Sequence, residues 1–143
     1  MSSDRHDNRN VNRLEGIQNV LDGKADICRG IKELCEALKD LQCGREHEAQ
    51  LNVVNGIHHI KKGLRKLVKG LRQLQGVLSC GAKKEIKEGI RDICQGLKEL
   101  CEVLKDICCG RICEAEKNLV CAIKLIKKGF CKIEKALEDI YLC

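Results

Sequence analysis

The chain has no proline and no tryptophan, and its 143 residues include one phenylalanine and one tyrosine. A β-rich fold draws on aromatic and β-branched side chains, so this shortage argues for helices instead. It also removes the rings on which single-stranded nucleic acid stacks. A core with so few aromatics must be thin, built from Leu, Ile and Val. No apolar run approaches the ~20 residues of a membrane span, and none is expected. The opening MSSDRHDNRNVN is polar and lacks the apolar centre of a secretory signal. Also missing are a nucleophile–base constellation, a phosphate loop and a metal triad. The chain is not expected to be an enzyme or to need a cofactor.

What is present is lysine, glutamate, leucine, isoleucine, glycine and 12 cysteines, with a formal charge of +6. Acids and bases alternate along the chain, as on a solvated helical surface. The most basic segment, HHIKKGLRKLVKGLRQL at 58–74, is amphipathic. Free, it would suit an anionic membrane surface. Inside a bundle its apolar stripe is core, and no nucleic-acid partner is expected.

The sequence repeats. A shift of 66 carries Cys28 onto Cys94, Cys35 onto Cys101 and Cys43 onto Cys109, and Gly44-Arg45 onto Gly110-Arg111. Three segments follow: a polar N-terminal arm (1–13), a first repeat (14–78) and a cysteine-rich second repeat (79–143). Each repeat reads as two long helices. In the first, Ile17, Val20, Ile27, Ile31, Leu34, Leu38 and Leu41 mark one helix, and Val53, Ile57, Ile60, Leu64, Leu67, Leu71 and Leu74 the next. That is a heptad pattern with apolar residues at a and d. Glycine at Gly44 and Gly110 stops the first helix of each pair, and the short turn forces an antiparallel hairpin. The expected fold is all-α: a tandem duplication of an α-hairpin, giving four long helices. They form either a coiled-coil-like four-helix bundle or an end-to-end rod.

Small residues recur at the g position: Gly16, Gly23 and Gly30, then Gly56, Gly63 and Gly70, with Gly89, Gly96 and Gly129 in the second repeat. Each mid-helix glycine costs about 1 kcal/mol against alanine. A row of them predicts closely approaching helix backbones.

The cysteines follow the same register. In an antiparallel hairpin, facing residues have position numbers with a constant sum. In the second repeat Cys109 with Cys113 and Cys101 with Cys121 share one sum. Cys80 with Cys143 and Cys94 with Cys131 fall within three of it. These eight are candidates for disulfides stapling the second hairpin, each typically worth about 2–4 kcal/mol. In the first repeat the facing positions are Arg65, Asn55 and His47, so Cys28, Cys35 and Cys43 have no partner there. With Cys108 they are candidates for bonds between hairpins or between subunits. Two first helices laid antiparallel would match Cys28 with Cys43 and Cys35 with itself, closing a two-fold dimer. Alternatively these thiols link successive subunits of a polymer.

A rigid helical subunit with spare cysteines suits a self-assembling structural protein of a disulfide-cross-linked filament, appendage or coat. In composition the chain resembles the small cysteine-rich proteins of bacterial spore coats, exosporia and spore appendages. That resemblance implies a partner that is the chain itself, and a location outside the cell or on a cell or spore surface, reached without a classical signal peptide. The alternative is a helical-bundle protein binding or storing Cu(I) or zinc through thiolates. Its ligands would be cysteines, with His47 and His58-His59 as additions. Cysteines seven apart lie about 10.5 Å apart along a helix, so any cluster would need a partner helix.

Overall fold

The computed structural model describes the backbone of residues 2–142 and the side chains of 11–138. Four helices follow one another: α1 (Ser2–Gln42), α2 (Glu46–Gln73), α3 (Cys80–Cys108) and α4 (Ile112–Leu142). No strand occurs among the described residues. α1 starts at Ser2, so the polar stretch ahead of Leu14 continues the helix. It holds no glycine or proline to interrupt it.

The two tight turns are built alike. Gly44 and Gly110 take φ of 78° and 76°, the left-handed region that glycine enters without penalty. The Arg45 N–H then reaches the Asp40 carbonyl at 2.7 Å and the Gly44 N–H the Leu41 carbonyl at 3.2 Å. Arg111 and Gly110 repeat this on Asp106 and Ile107 at 2.8 and 3.1 Å. These are the paired bonds of a Schellman helix end, and they reverse the chain within three residues. The α2–α3 connection is longer. There Ser79 caps α3, its hydroxyl accepting from the Ala82 N–H at 3.1 Å.

Most helix contact lies within two pairs, α1 against α2 and α3 against α4. The seams of α1 with α4 and of α2 with α3 are much sparser. Two hairpins thus lie side by side as a bundle, not end to end.

The small residues at g make the tight pairs. A Cβ on Gly63 would stand 2.6 Å from the Gly23 carbonyl oxygen, and one on Gly70 2.6 Å from that of Gly16. Gly30 meets the Gly56 oxygen at 2.8 Å, Gly89 the Gly129 oxygen at 2.5 Å and Gly96 the Ala122 oxygen at 3.1 Å. Each backbone occupies the space where the other's side chain would be.

This shifts the seam from a and d to d and g. The fully buried stripe runs mainly through d, at Val20, Ile27, Leu34, Ile60, Leu67, Ile93, Leu100, Leu119, Ile126 and Ile133, with Leu137 at a joining it. The a residues face the other hairpin. Leu64, Leu71 and Ile90 line the α2–α3 seam, and Ile17, Ile31 and Leu38 stay half-buried.

Gly63→Ala tests the close approach. The methyl would also fall 2.7 Å from Ile27 Cγ1 and 2.9 Å from its backbone nitrogen. Overpacking of about 3 kcal/mol outweighs the ~1 kcal/mol of helix propensity. Thermal unfolding should drop by about 4–8 °C, while Gly81→Ala, with nothing within 4 Å, should leave it unchanged or slightly raised.

Candidate functional site

The c positions flank the glycine stripe and form a polar ladder along one edge of each hairpin. In the first hairpin the Asn19 amide donates to Gln73 Oε1 at 2.8 Å, and Lys66 Nζ lies 2.9 Å from Asp26 Oδ2. His59 Nδ1 is 2.6 Å from Glu33 Oε1, and the Asn52 amide donates to Asp40 Oδ2 at 2.7 Å. In the second, Lys132 donates to Asp92 Oδ2 at 2.9 Å and Asn118 to Asp106 Oδ2 at 2.8 Å.

The rungs beside the turns are the most elaborate. The Asp40 and Asp106 carboxylates, both 6% exposed, also accept from Arg45 Nε and Arg111 Nε at 3.1 Å. Each clasp ties the helix end, the turn and the start of the next helix to one buried carboxylate. Sequence reasoning missed these clasps. The signal was an Asp, an Arg five residues on and an Asn twelve on, repeated after 66 residues.

Asp26 sits in the same ladder. Burial pushes its carboxyl up. The Lys66 hydrogen bond and charge, with Lys62 and Arg29, outweigh burial and hold it below the usual value of 3.8.

The cysteines lie elsewhere. Among the eleven described, all are free thiols, and all but the half-buried Cys35 are exposed. The expected staples joining Cys94 to Cys131, Cys101 to Cys121 and Cys109 to Cys113 are therefore not present, and Cys80 stands unpaired. Cys143 lies outside the described residues. The reason is geometric. Cys80, Cys94, Cys101 and Cys108 occupy e, and around a helix e and g lie on opposite sides of the a/d stripe. Because g faces the hairpin partner, e faces away from it.

On α3 the e side borders α2. Cys94 lines an open groove there with Leu64, Val68 and Ile90. The Gln50 amide reaches Cys108 Sγ at 3.6 Å. On α1 the e side borders α4. Burial pushes the Cys28 thiol up, and the charge of Glu134 on α4 adds to this against Lys24. Cys35 packs against the core beside it. Cys43, Cys109 and Cys113 sit exposed at the two turns, and Cys121 and Cys131 on the outer surface of α4.

No group of three or more His, Cys, Asp or Glu side chains among the described residues is placed to hold a metal ion. His47 is exposed; His58 is exposed and meets the His59 ring edge-on at 5.9 Å. No described helix is long and apolar enough to cross a membrane.

Two substitutions test the ladder. Asp106→Ala strands the Asn118 amide and frees Arg111. It should cost about 1–3 kcal/mol in denaturant unfolding, and Asp40→Ala a similar amount. Asp26 has a depressed folded-state pKa, so its contribution is full above the unfolded value and lost as pH falls through the folded one. As pH falls through the ordinary carboxylate range and below it, the native protein should therefore lose more stability than Asp26→Asn in acid titrations followed by circular dichroism. No protein-family model, no curated protein and no solved structure matches this chain, so the reading of these surfaces rests on its own residues.

Proposed function

We propose that the chain is a structural subunit that assembles with copies of itself and becomes cross-linked by disulfides between chains. The observation that carries this reading is the placement of the thiols. Ten of the eleven described cysteines are exposed on a helical scaffold whose interior holds apolar side chains flanked by the polar ladder edges. Thiols serving as core hydrophobes would be buried. Sulfurs ligating metal would converge in threes and fours. These point outward, spread over α1, α3, α4 and both tight turns, with none on α2.

The duplication belongs to the same reading. Two copies of a 66-residue hairpin, joined in tandem, present the same backbone twice with different surfaces. The glycine stripe makes each hairpin stiff and narrow. A subunit whose faces join without closing on themselves builds an open fibre or layer. The setting is one where disulfides persist, outside the cell or on a cell or spore surface. No catalytic step or cofactor is assigned.

Each cross-link is thiol–disulfide exchange. Two cysteine thiols, one on each chain, become one S–S bond, while a small-molecule disulfide takes their two electrons and two protons and leaves as two thiols. Protein purified under reducing agent and then given oxidised glutathione should form a ladder of multimers on non-reducing gels. Reductant should collapse the ladder, and the multimers should appear as fibres or sheets by electron microscopy. A product that stays monomeric, with every thiol capped by glutathione, would sink the reading.

A further inference from the structure

The seam between α2 and α3 is an apolar groove with a basic rim. Its floor is Leu64, Val68, Leu71, Leu78, Ile86 and Ile90. Arg65, Lys69, Arg72, Lys83 and Lys87 line its edges, and no acidic side chain does. Cys94 stands at the end nearer the turns.

On the opposite side of the bundle, α1 carries exposed apolar side chains, as α2 does at Leu51 and Val54. Leu14 is 68% exposed, Val11 52% and Leu21 44%, and Ala25 and Cys28 are exposed beyond them. Leu14, Leu21 and Cys28 follow one another at seven-residue steps on the e side. Glu15 and Asp22 lie to one side of this band, where Glu15 accepts from Gln73 of α2 and exposed Arg29 follows them in the same row, and Lys24 and Glu134 of α4 both bear on Cys28.

We propose that the α2–α3 groove receives the α1 edge of a second copy of this chain, so that Cys28 of one subunit bonds to Cys94 of the next. This rests on the self-assembly reading above and specifies its contact. The register follows from the cysteines. With the incoming α1 parallel to α3 and Cys28 beside Cys94, Leu21 falls beside position 87 and Leu14 beside position 80. That is the stretch floored by Ile86, Ile90, Leu71 and Leu78, and it brings Glu15 and Asp22 to Arg72, Lys83 and Lys87. The same register sets Cys35 beside Cys101. An antiparallel α1 would instead carry the leucines toward Cys101 and Cys108, beyond the groove. A two-fold dimer of α1 helices, matching Cys28 with Cys43, overlaps only the last third of the helix and leaves Leu14 and Leu21 uncovered. The groove-to-edge contact joins two different surfaces, so it propagates from subunit to subunit.

The test uses two full-length variants with every cysteine but one changed to serine, one keeping Cys28 and the other Cys94. Circular dichroism first checks that both keep their helix. Mixed and treated with oxidised glutathione, they should form a covalent heterodimer at least tenfold faster than either forms a homodimer. Leu21→Glu in the Cys28 variant should abolish that preference. Cys28 homodimers forming as fast as heterodimers would overturn the proposal in favour of a symmetric contact. No preference at all, while the native chain still forms its oxidised ladder, would overturn this contact and leave self-assembly standing. No ladder from the native chain would remove both.

Discussion

The close approach of two backbones fixes almost everything else in this molecule. Where Gly23 meets Gly63 and Gly89 meets Gly129, a carbonyl oxygen of one helix fills the space a methyl would need on the other. Helices that close cannot hold bulky side chains between them. The d residues therefore interleave on one side of the contact line and the c residues face each other on the other. The c edge lies at the rim of the seam, half out of water, where short polar pairs are satisfied and long apolar ones would be wasted. The ladder of Asp, Glu, Asn, Gln, His and Lys is the consequence, and it penalises any slip of one helix along its partner.

The same line decides the fate of the thiols. A residue at e lies across the a/d stripe from g, so bringing g to the partner turns e outward. Cysteine at e is then either an edge residue of the sparse seam to the other hairpin or a surface residue. Cys28, Cys94 and Cys108 are the first kind, Cys101 the second. The elements that make each hairpin stable thus place its reactive groups where only another molecule can reach several of them.

Much of the fold is legible in the sequence. The four helices, their turns at Gly44 and Gly110, the antiparallel pairing and the close packing of the glycine stripe all follow from heptad spacing and local chemistry. What was misread was phase. The summed positions of facing cysteines describe distance along the hairpin, not direction around the helix, and Cys94 and Cys131 can satisfy the first without the second. The glycines already held the answer, since g and e cannot both face one partner. The clasps at Asp40 and Asp106 were harder to see, because an aspartate on an amphipathic helix reads as solvated surface until the turn brings an Arg and an Asn to it.

The two hairpins differ in ways that bear on assembly. Their interiors match in residue type, but the Glu33–His59 and Asn19–Gln73 rungs are not repeated in sequence. Glu99 faces Leu125, and its Oε2 is buried without a hydrogen bond. The edges differ more. Along e, α1 carries Leu14, Leu21, Cys28 and Cys35, whereas α3 carries Cys80, Lys87, Cys94, Cys101 and Cys108. α2 concentrates positive charge in Lys61, Lys62, Arg65, Lys66, Lys69 and Arg72, against two acids in its first turn. Identical halves would offer the same patch on both sides of the bundle and favour contacts that close on a two-fold axis. Divergent halves offer two unlike patches on opposite sides, one apolar with charges of both signs beside it and one grooved with a basic rim. In the proposed contact, head-to-tail addition would bury the exposed leucines of α1 in the groove of the next copy. On the proposed reading, divergence of the edges on a preserved interior would turn a stiff helical pair into a unit able to add to itself head to tail.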